Sequence, residues 1–219
     1  MVRWILQLLV MLFVAQPLLC FAVDPILIDK TKSLKRCDNC DFSRADLTGV
    51  DFKGANLDES KFEQANLSGA NLEETYIDDG IFTGAILDRA NLRKAILTQC
   101  NFTKARLEGT DFTGADLEKA KFVEANLRTA NFSHASLKRV DLSGADLTGA
   151  VFVGASLRYA LLKGAKLKGA DFRGADLRST TFGVQSRYTG GGVSTVDIPV
   201  TCADLEKQGA AFDTTTRCE

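Results

Sequence analysis

The sequence predicts an all-β fold, a solenoid in which the chain winds as a square coil. Two observations carry that prediction. A large apolar residue recurs at every fifth position without a break, and columns of like residues re-form when the chain is read at every twentieth position. A helix repeats at 3.6 residues and a strand at 2, so neither regular element has a five-residue period. Self-similarity at a fixed short period marks a repeat architecture instead.

The 219-residue chain opens MVRWILQLLVMLFVAQPLLCFAVD, with one basic residue at Arg3, an apolar run from Trp4 and small residues around Ala22. Residues 1–22 read as a secretory signal peptide cleaved after Ala22. A retained anchor and a lipoprotein attached through Cys20 are the alternatives. Gln7, Gln16 and Pro17 leave little uninterrupted apolar length for a bilayer core of ~30 Å, and Pro17-Leu18-Leu19 lacks a small residue before Cys20. No stable membrane anchor is expected after cleavage. Residues 23–39 are expected to form a short N-terminal cap, running from Asp24-Pro25 through ILIDKTKSLKR into Cys37-Asp38-Asn39-Cys40. A solenoid needs such caps, because its ends expose an apolar stack and unpaired backbone groups.

Residues 40–184 hold the repeats, with 29 apolar centres stepping by five from Phe42 to Phe182. Two places before each centre stands a small residue, as at Ala45, Ala55 and Ala65. The position just before it favours Asp or Asn, as at Asp46, Asp51 and Asn56. Two places after it Gly recurs, as at Gly49, Gly54 and Gly69. A short extended piece followed by a tight turn fits five residues, with Gly supplying φ > 0 in a type II turn. Centre and small residue then face inward, and four units close one coil of twenty. Phe42, Phe62, Phe82, Phe102 and Phe122 form one such column, and Leu47, Leu67, Leu87, Leu107 and Leu127 another. A ten-residue period fits the alternation equally well. No interruption of the repeats is expected.

The triplets Ala45-Asp46-Leu47, Ala55-Asn56-Leu57, Ala65-Asn66-Leu67, Ala115-Asp116-Leu117 and Ala145-Asp146-Leu147 match the motif A-(D/N)-L-x-x. The run resembles the pentapeptide repeat proteins over about two thirds of the chain. That resemblance implies a right-handed quadrilateral β-helix of about seven coils, a rod on the order of 35 Å long at ~4.8 Å per coil.

Residues 185–219 are expected to cap the other end. YTGGGVSTVDIPV reads as loop and strand, and Thr201-Cys202-Ala203-Asp204 as the start of a short helix with a capping box. Cys202 and Cys218 flank that element and are predicted to be bridged, contributing ~3 kcal/mol. Cys37 and Cys40 have three readings: a structural disulfide, inert thiols, or a redox or metal pair. Cys100 replaces Ala at a small inward position and reads as a packing residue.

No catalytic, cofactor-binding or metal-binding residue stands out. The single histidine, His134, falls at an outward position. The recurrent Asp and Asn suit hydrogen bonds to turns better than metal or acid–base chemistry. Asn66, Asn101 and Asn131 head glycosylation sequons that the repeat grammar generates by itself. Gly190-Gly191-Gly192 lacks the Lys-Ser/Thr of a phosphate loop.

Charge is distributed unevenly although the formal net charge is -1. Residues 41–90 hold eleven acids and four bases; residues 91–180 hold nine acids and fifteen bases. One column shows the change: Asp58, Asp78, Thr98, Glu118, Lys138, Arg158, Arg178. Its charged members, Asp58, Asp78, Glu118, Lys138, Arg158 and Arg178, form the candidate interaction face. Such a gradient suits a bipolar partner or end-to-end self-association of rods. The near-neutral balance argues against a nucleic-acid partner. The functional expectation is a non-enzymatic exported scaffold with an unidentified protein partner. It resembles the lumenal pentapeptide proteins of cyanobacteria and chloroplasts, which implies periplasm or thylakoid lumen. The short signal, acid-free up to Asp24, suits a cyanobacterial gene. Two alternatives stand beside it: an acidic DNA mimic, as in the gyrase-binding members of the family, and a minor redox role through Cys37 and Cys40.

Overall fold

A computed structural model describes residues 36–189, 192–199, 202–207 and 209–211. The signal peptide expected at 1–22, most of the cap expected at 23–39, Gly190-Gly191 and Cys218 lie outside the described residues.

The coil follows from the five-residue unit. The amide of Ala45 donates to the carbonyl of Phe42 at 3.1 Å, closing a turn whose third residue, Arg44, has φ 62°. The same left-handed conformation recurs at every corner from Asn39 to Ser179. Seventeen of these corner residues are not glycine. The glycines seen in the sequence are therefore the unstrained occupants of the corner and not what creates it.

Between corners the chain pairs with the coils on either side. Phe42 donates its amide to the Lys61 carbonyl at 2.7 Å, and Lys61 donates to the Cys40 carbonyl at 2.8 Å. Parallel bridges run from Arg36↔Asn56 to Leu161↔Thr181, each joining residues twenty apart. That settles the period at twenty and excludes ten.

The core is two apolar residues deep on each side of the square. Centres and small residues are buried along the coil, with Cys37, Cys40 and Ala165 only partly so, and stacking aligns the aromatic ones. The rings of Phe62, Phe82, Phe102 and Phe122 follow one another at 4.7, 4.6 and 4.8 Å, within 13° of parallel. A second column, Phe112, Phe132, Phe152 and Phe172, repeats at 4.8 to 5.0 Å and meets the first edge-to-face, with Phe112 and Phe122 at 86°. Where a polar residue takes the small position, its hydroxyl finds a backbone acceptor. Thr110 donates to the Leu87 carbonyl at 2.8 Å, Thr180 to that of Leu157 at 2.6 Å and Ser60 to that of Cys37 at 2.9 Å. Buried hydroxyls without such partners would cost ~1–3 kcal/mol each.

The Asp and Asn before each centre have the structural task expected of them. Asp41 Oδ1 accepts the Ser43 amide at 2.9 Å, Asn101 Oδ1 that of Thr103 at 3.0 Å and Asp141 Oδ1 that of Ser143 at 2.9 Å. These Asx turns hold the start of the corners that carry Asp or Asn before the centre. The three sequon asparagines do the same, each also accepting the hydroxyl two residues on, at 2.6 to 2.7 Å.

The C-terminal end departs from the expectation. The last bridge twenty residues apart ends at Thr181, where strand β1 (Thr181–Thr189) begins and pairs antiparallel with β2 (Gly192–Pro199). Strand β1 thus begins within the last residues of the span read as repeats, and the strand expected in YTGGGVSTVDIPV is β2, paired with β1 as a hairpin. Helix α1 (Cys202–Lys207) follows, with Leu205 buried. The chain then returns to the coil. Asp171 bridges Ala211, forty residues on, Gly169 donates to the Gly209 carbonyl at 2.9 Å and Phe172 to that of Ala211 at 2.7 Å. Residues 209–211 occupy the place that 189–191 would fill in a further regular coil. The hairpin and helix are thus an excursion between the last twenty-apart bridge, at Thr181, and the return of the chain at residues 209–211. The excursion carries no sign in the five-residue pattern, because it preserves phase: Ala210-Ala211-Phe212 again reads small, variable, large.

Candidate interaction face

One side of the square coil carries the column singled out by its charge. Each corner on this side donates its amide to the next coil: Glu59 to the Asp78 carbonyl, Gln99 to that of Glu118, Lys119 to that of Lys138, Arg139 to that of Arg158, and Tyr159 to that of Arg178. These bonds line up Asp58, Asp78, Glu118, Lys138, Arg158 and Arg178 as neighbours along one face. The corner residues Glu59, Asp79, Lys119, Arg139 and Tyr159 flank them.

The acidic half is concentrated. Asp58 Oδ1 accepts the Asp78 amide at 3.0 Å, and the Asp78 carboxylate in turn accepts the Thr98 hydroxyl. Gln99 Nε2 donates to Asp79 Oδ2 at 3.3 Å. None of Asp58, Glu59, Asp78 or Asp79 has an ion pair among the described residues. The basic half is arranged differently. The Arg139 and Arg158 guanidinium carbons lie 5.8 and 5.6 Å from the centre of the Tyr159 ring, which positions both by cation–π attraction. Arg158 Nε is buried without a hydrogen-bond partner among the described residues. Arg178 pairs with Asp176 at 2.6 Å, and its guanidinium holds the Asp176 carboxyl below the usual carboxylate range. Arg139 reaches Glu118 at 3.7 Å.

Other sides pair their charges between coils, as Lys53 does with Glu73 at 3.0 Å, Arg93 with Asp111 at 3.1 Å and Lys94 with Glu74 at 3.3 Å. The candidate face also holds two exposed apolar residues absent from the charge reading. Tyr76 and Ile96, each 40% exposed, are bridged neighbours in consecutive coils. Their sequence signal is an apolar residue at the place where Asp or Asn is usual.

The coil geometry has a counterpart in sequence. A family model for the pentapeptide repeat region matches residues 35–112, 55–132, 75–150 and 115–186. The chain belongs to the pentapeptide repeat family. Proteins of this family fold as right-handed quadrilateral β-helices. Among solved structures, trypsin-treated QnrB1, a plasmid-mediated fluoroquinolone resistance protein, shares the fold at TM-score 0.69 and 18% identity, with 85% of this chain and 88% of that one covered. A pentapeptide repeat protein involved in heterocyst differentiation regulation, from the cyanobacterium Nostoc sp. strain PCC 7120, is 26% identical over 74% of this chain and 93% of its own, at TM-score 0.41. A pentapeptide repeat protein from the Arabidopsis thaliana thylakoid lumen is 30% identical over 45% of this chain and 65% of its own, at TM-score 0.20. No curated protein sequence matches significantly.

The family frame explains where the cysteines fall. Cys37 stands at a centre position and Cys40 at the next small position, so both inward places of one corner are cysteine. Their Cα atoms are 5.6 Å apart and a disulfide joins them. Ser60 ties this turn to the next coil, accepting the Cys40 amide at 3.1 Å. Cys100 is fully buried and its thiol donates to the Ile77 carbonyl at 2.8 Å; burial pushes that thiol well above its ordinary range. It fits because Gly80 lies opposite it in the previous coil: a Cβ added there would lie 3.3 Å from Cys100 Sγ. Cys202 opens α1, and its pairing with Cys218 falls outside the described residues. His134 is exposed at a corner with φ 59°, packed over Gly154 of the next coil. Among the described residues no cluster of His, Cys, Asp and Glu could hold a metal ion, and no helix is long and apolar enough to cross a membrane.

Proposed function

We propose that the chain is an exported, non-enzymatic scaffold that docks a protein through the face bearing Asp58, Asp78, Glu118, Lys138, Arg158 and Arg178. The observation that carries this reading is the segregation of charge along one side of the coil, where Asp58, Asp78, Lys138 and Arg158 have no ion-pair partner among the described residues and Tyr76 and Ile96 are exposed beside them. A β-helix whose every coil is bonded to both neighbours costs little ordering entropy when it binds, so a modest contact area can be selective.

Export through the signal peptide at 1–22 places the protein in the periplasm or thylakoid lumen. Cysteine pairs at Cys37–Cys40 and Cys202–Cys218 suit such an oxidising compartment. The test is the intact mass of the protein recovered from its host, before and after reduction and alkylation. Loss of about 22 residues together with alkylation of cysteines only after reduction is expected. A full-length chain whose thiols all react without reduction would overturn the compartment.

A gyrase-binding reading is favoured only by the shared fold with QnrB1. The basic half of the face opposes it, because a mimic of DNA must be acidic along its length. Inhibition of gyrase supercoiling by micromolar protein would decide for that second reading. Redox chemistry at Cys37 and Cys40 is tested by their double Ser substitution, which is expected to leave thiol-exchange rates unchanged.

A further inference from the structure

We infer that the candidate face is self-complementary and that its partner is a second copy of this chain, docked face to face with the two rods antiparallel. The inference rests on the reading of this face as the docking surface, and it follows from the order of charges along the column. A two-fold axis lying in the contact plane and perpendicular to the rods reverses the coil order and leaves each column facing itself. With the axis at the coil of Glu118, Asp78 meets Arg158 of the second copy, Thr98 meets Lys138 and Asp58 meets Arg178. Each pairing occurs twice. At the axis Glu118 faces Glu118 and Lys119 faces Lys119, and each glutamate is flanked by the other copy's lysine. The corner column follows the same rule, setting Asp79 against Tyr159 with its two flanking guanidiniums, and Gln99 against Arg139.

The alternative of parallel rods sets Asp58 on Asp58 and Arg158 on Arg158, which repels along the whole face. Antiparallel contact converts the repulsion between adjacent acids within one rod into attraction between rods. Asp78–Arg158 is the central pair, since neither residue has an ion-pair partner within its own chain among the described residues, and Tyr159 already holds the Arg158 guanidinium by a contact at 5.6 Å. The Asp58–Arg178 pair is weaker, because Arg178 is shared with Asp176 at 2.6 Å.

The area sets the strength. Successive coils are 4.8 Å apart at Phe102 and Phe122, so the six coil steps from Asp58 to Arg178 span ~30 Å. With a face about three residues or ~10 Å wide, each copy contributes on the order of 300–400 Å², well below the ~800 Å² of a standard stable interface. The dimer is therefore weak, charge-driven and dissociated by dilution and by salt.

Sedimentation equilibrium of the protein as recovered from its host tests this, at low and at high ionic strength. A monomer–dimer equilibrium is expected at tens of micromolar in low salt, shifted to monomer by 0.5 M salt. Asp78→Lys is expected to weaken association at least tenfold, and adding Arg158→Asp to it to restore the dimer, with circular dichroism confirming the fold of each variant. Glu118→Cys is expected to crosslink on oxidation, since face-to-face contact brings the two copies of position 118 together and end-to-end contact does not, whereas Asp58→Cys, which parallel rods would also crosslink, is expected not to. A monomer at all concentrations overturns the inference, as does a dimer indifferent to Asp78→Lys or one that Glu118→Cys cannot crosslink, which is the result end-to-end assembly would give. The mass measurement reports separately on export, so failure of the dimer and failure of the exported-scaffold reading are distinguishable.

Discussion

Thr129 is a β-branched residue held in the left-handed conformation, with φ 55° at a corner whose column neighbours Gly109 and Gly149 are glycines with φ 67° and 70°. An L side chain in this region costs ~1–2 kcal/mol, and a β-branched one lies at the upper end. Replacing Thr129 with Gly removes that strain from the folded state. Against the gain stands the greater freedom of glycine in the unfolded chain, ~0.5–1 kcal/mol. The Thr129 hydroxyl also donates to the Arg128 carbonyl at 2.7 Å, but this exposed bond exchanges with water and contributes little. The net expectation for Thr129→Gly is a stabilisation of about 0.5–1 kcal/mol, a rise of ~1–4 °C in melting temperature. The reverse change, Gly149→Thr, should destabilise by a similar amount. A Cβ at Gly149 would lie 3.5 Å from Thr129 Cγ2, an ordinary contact, so the cost there is conformational and not steric. Urea denaturation reads both, provided the slope is unchanged, because repeat arrays can lose two-state behaviour. A lower midpoint for Thr129→Gly, or an unchanged one for Gly149→Thr, would refute the account of the corners.

Phe122 touches rings on three sides, at 4.8 Å to Phe102, 5.9 Å to Phe112 and 6.0 Å to Phe132; Phe122→Ala should cost ~3–5 kcal/mol, measured by the same titration, and a loss under 1 kcal/mol would mean the stack collapses freely. Gly80→Ala adds a Cβ 2.6 Å from Ile77 Cγ2 and 3.2 Å from the Phe82 ring, so overpacking of ~1–3 kcal/mol is expected, and a neutral midpoint would show that this corner of the core is loose. The Asp176 carboxyl is held below its ordinary pKa by Arg178, so its stabilising charge is present above the unfolded value near pH 4 and lost as pH falls through the lower folded value. The stability gap between the wild type and Asp176→Asn should accordingly be open at pH 7 and close below pH ~4; a gap that widens on acidification would reverse the sign.

The coil was legible in the sequence because its determinants are local and repeated. A large inward residue and a small partner recur in each unit and an Asx turn in many, so one unit's chemistry reports on the others. The charged column was legible for the same reason: once the period is twenty, stacking is arithmetic. Corner strain was only half legible. Glycine at Gly49 or Gly54 announces φ > 0, but the same angle at Thr129, Arg139 or Tyr159 is imposed by backbone bonds to adjacent coils, which no single residue encodes. The C-terminal excursion was hidden for a different reason. Its return at Ala211 depends on a pairing forty residues away, and its in-phase reentry erases the discontinuity that would have announced it.

The two ends of the described coil are consequently unlike in kind. At one end a covalent link closes the two inward positions of a corner, Cys37 and Cys40, and the buried Ser60 fastens that corner to the next coil. At the other, Leu205 of α1 is fully buried and the chain folds back to bond Gly169, Ala170 and Phe172. Backbone groups that a bare coil would present to another chain at the end holding Asp171 are therefore already used by residues 209–211. That occupation opposes end-to-end growth through the edge at Asp171, and the long sides are further contact surfaces that the described coil presents. Among those sides, the one bearing Asp78 and Arg158 combines unpaired charges of both signs with exposed apolar side chains, which is why an antiparallel pair accounts for the charge order better than a filament does.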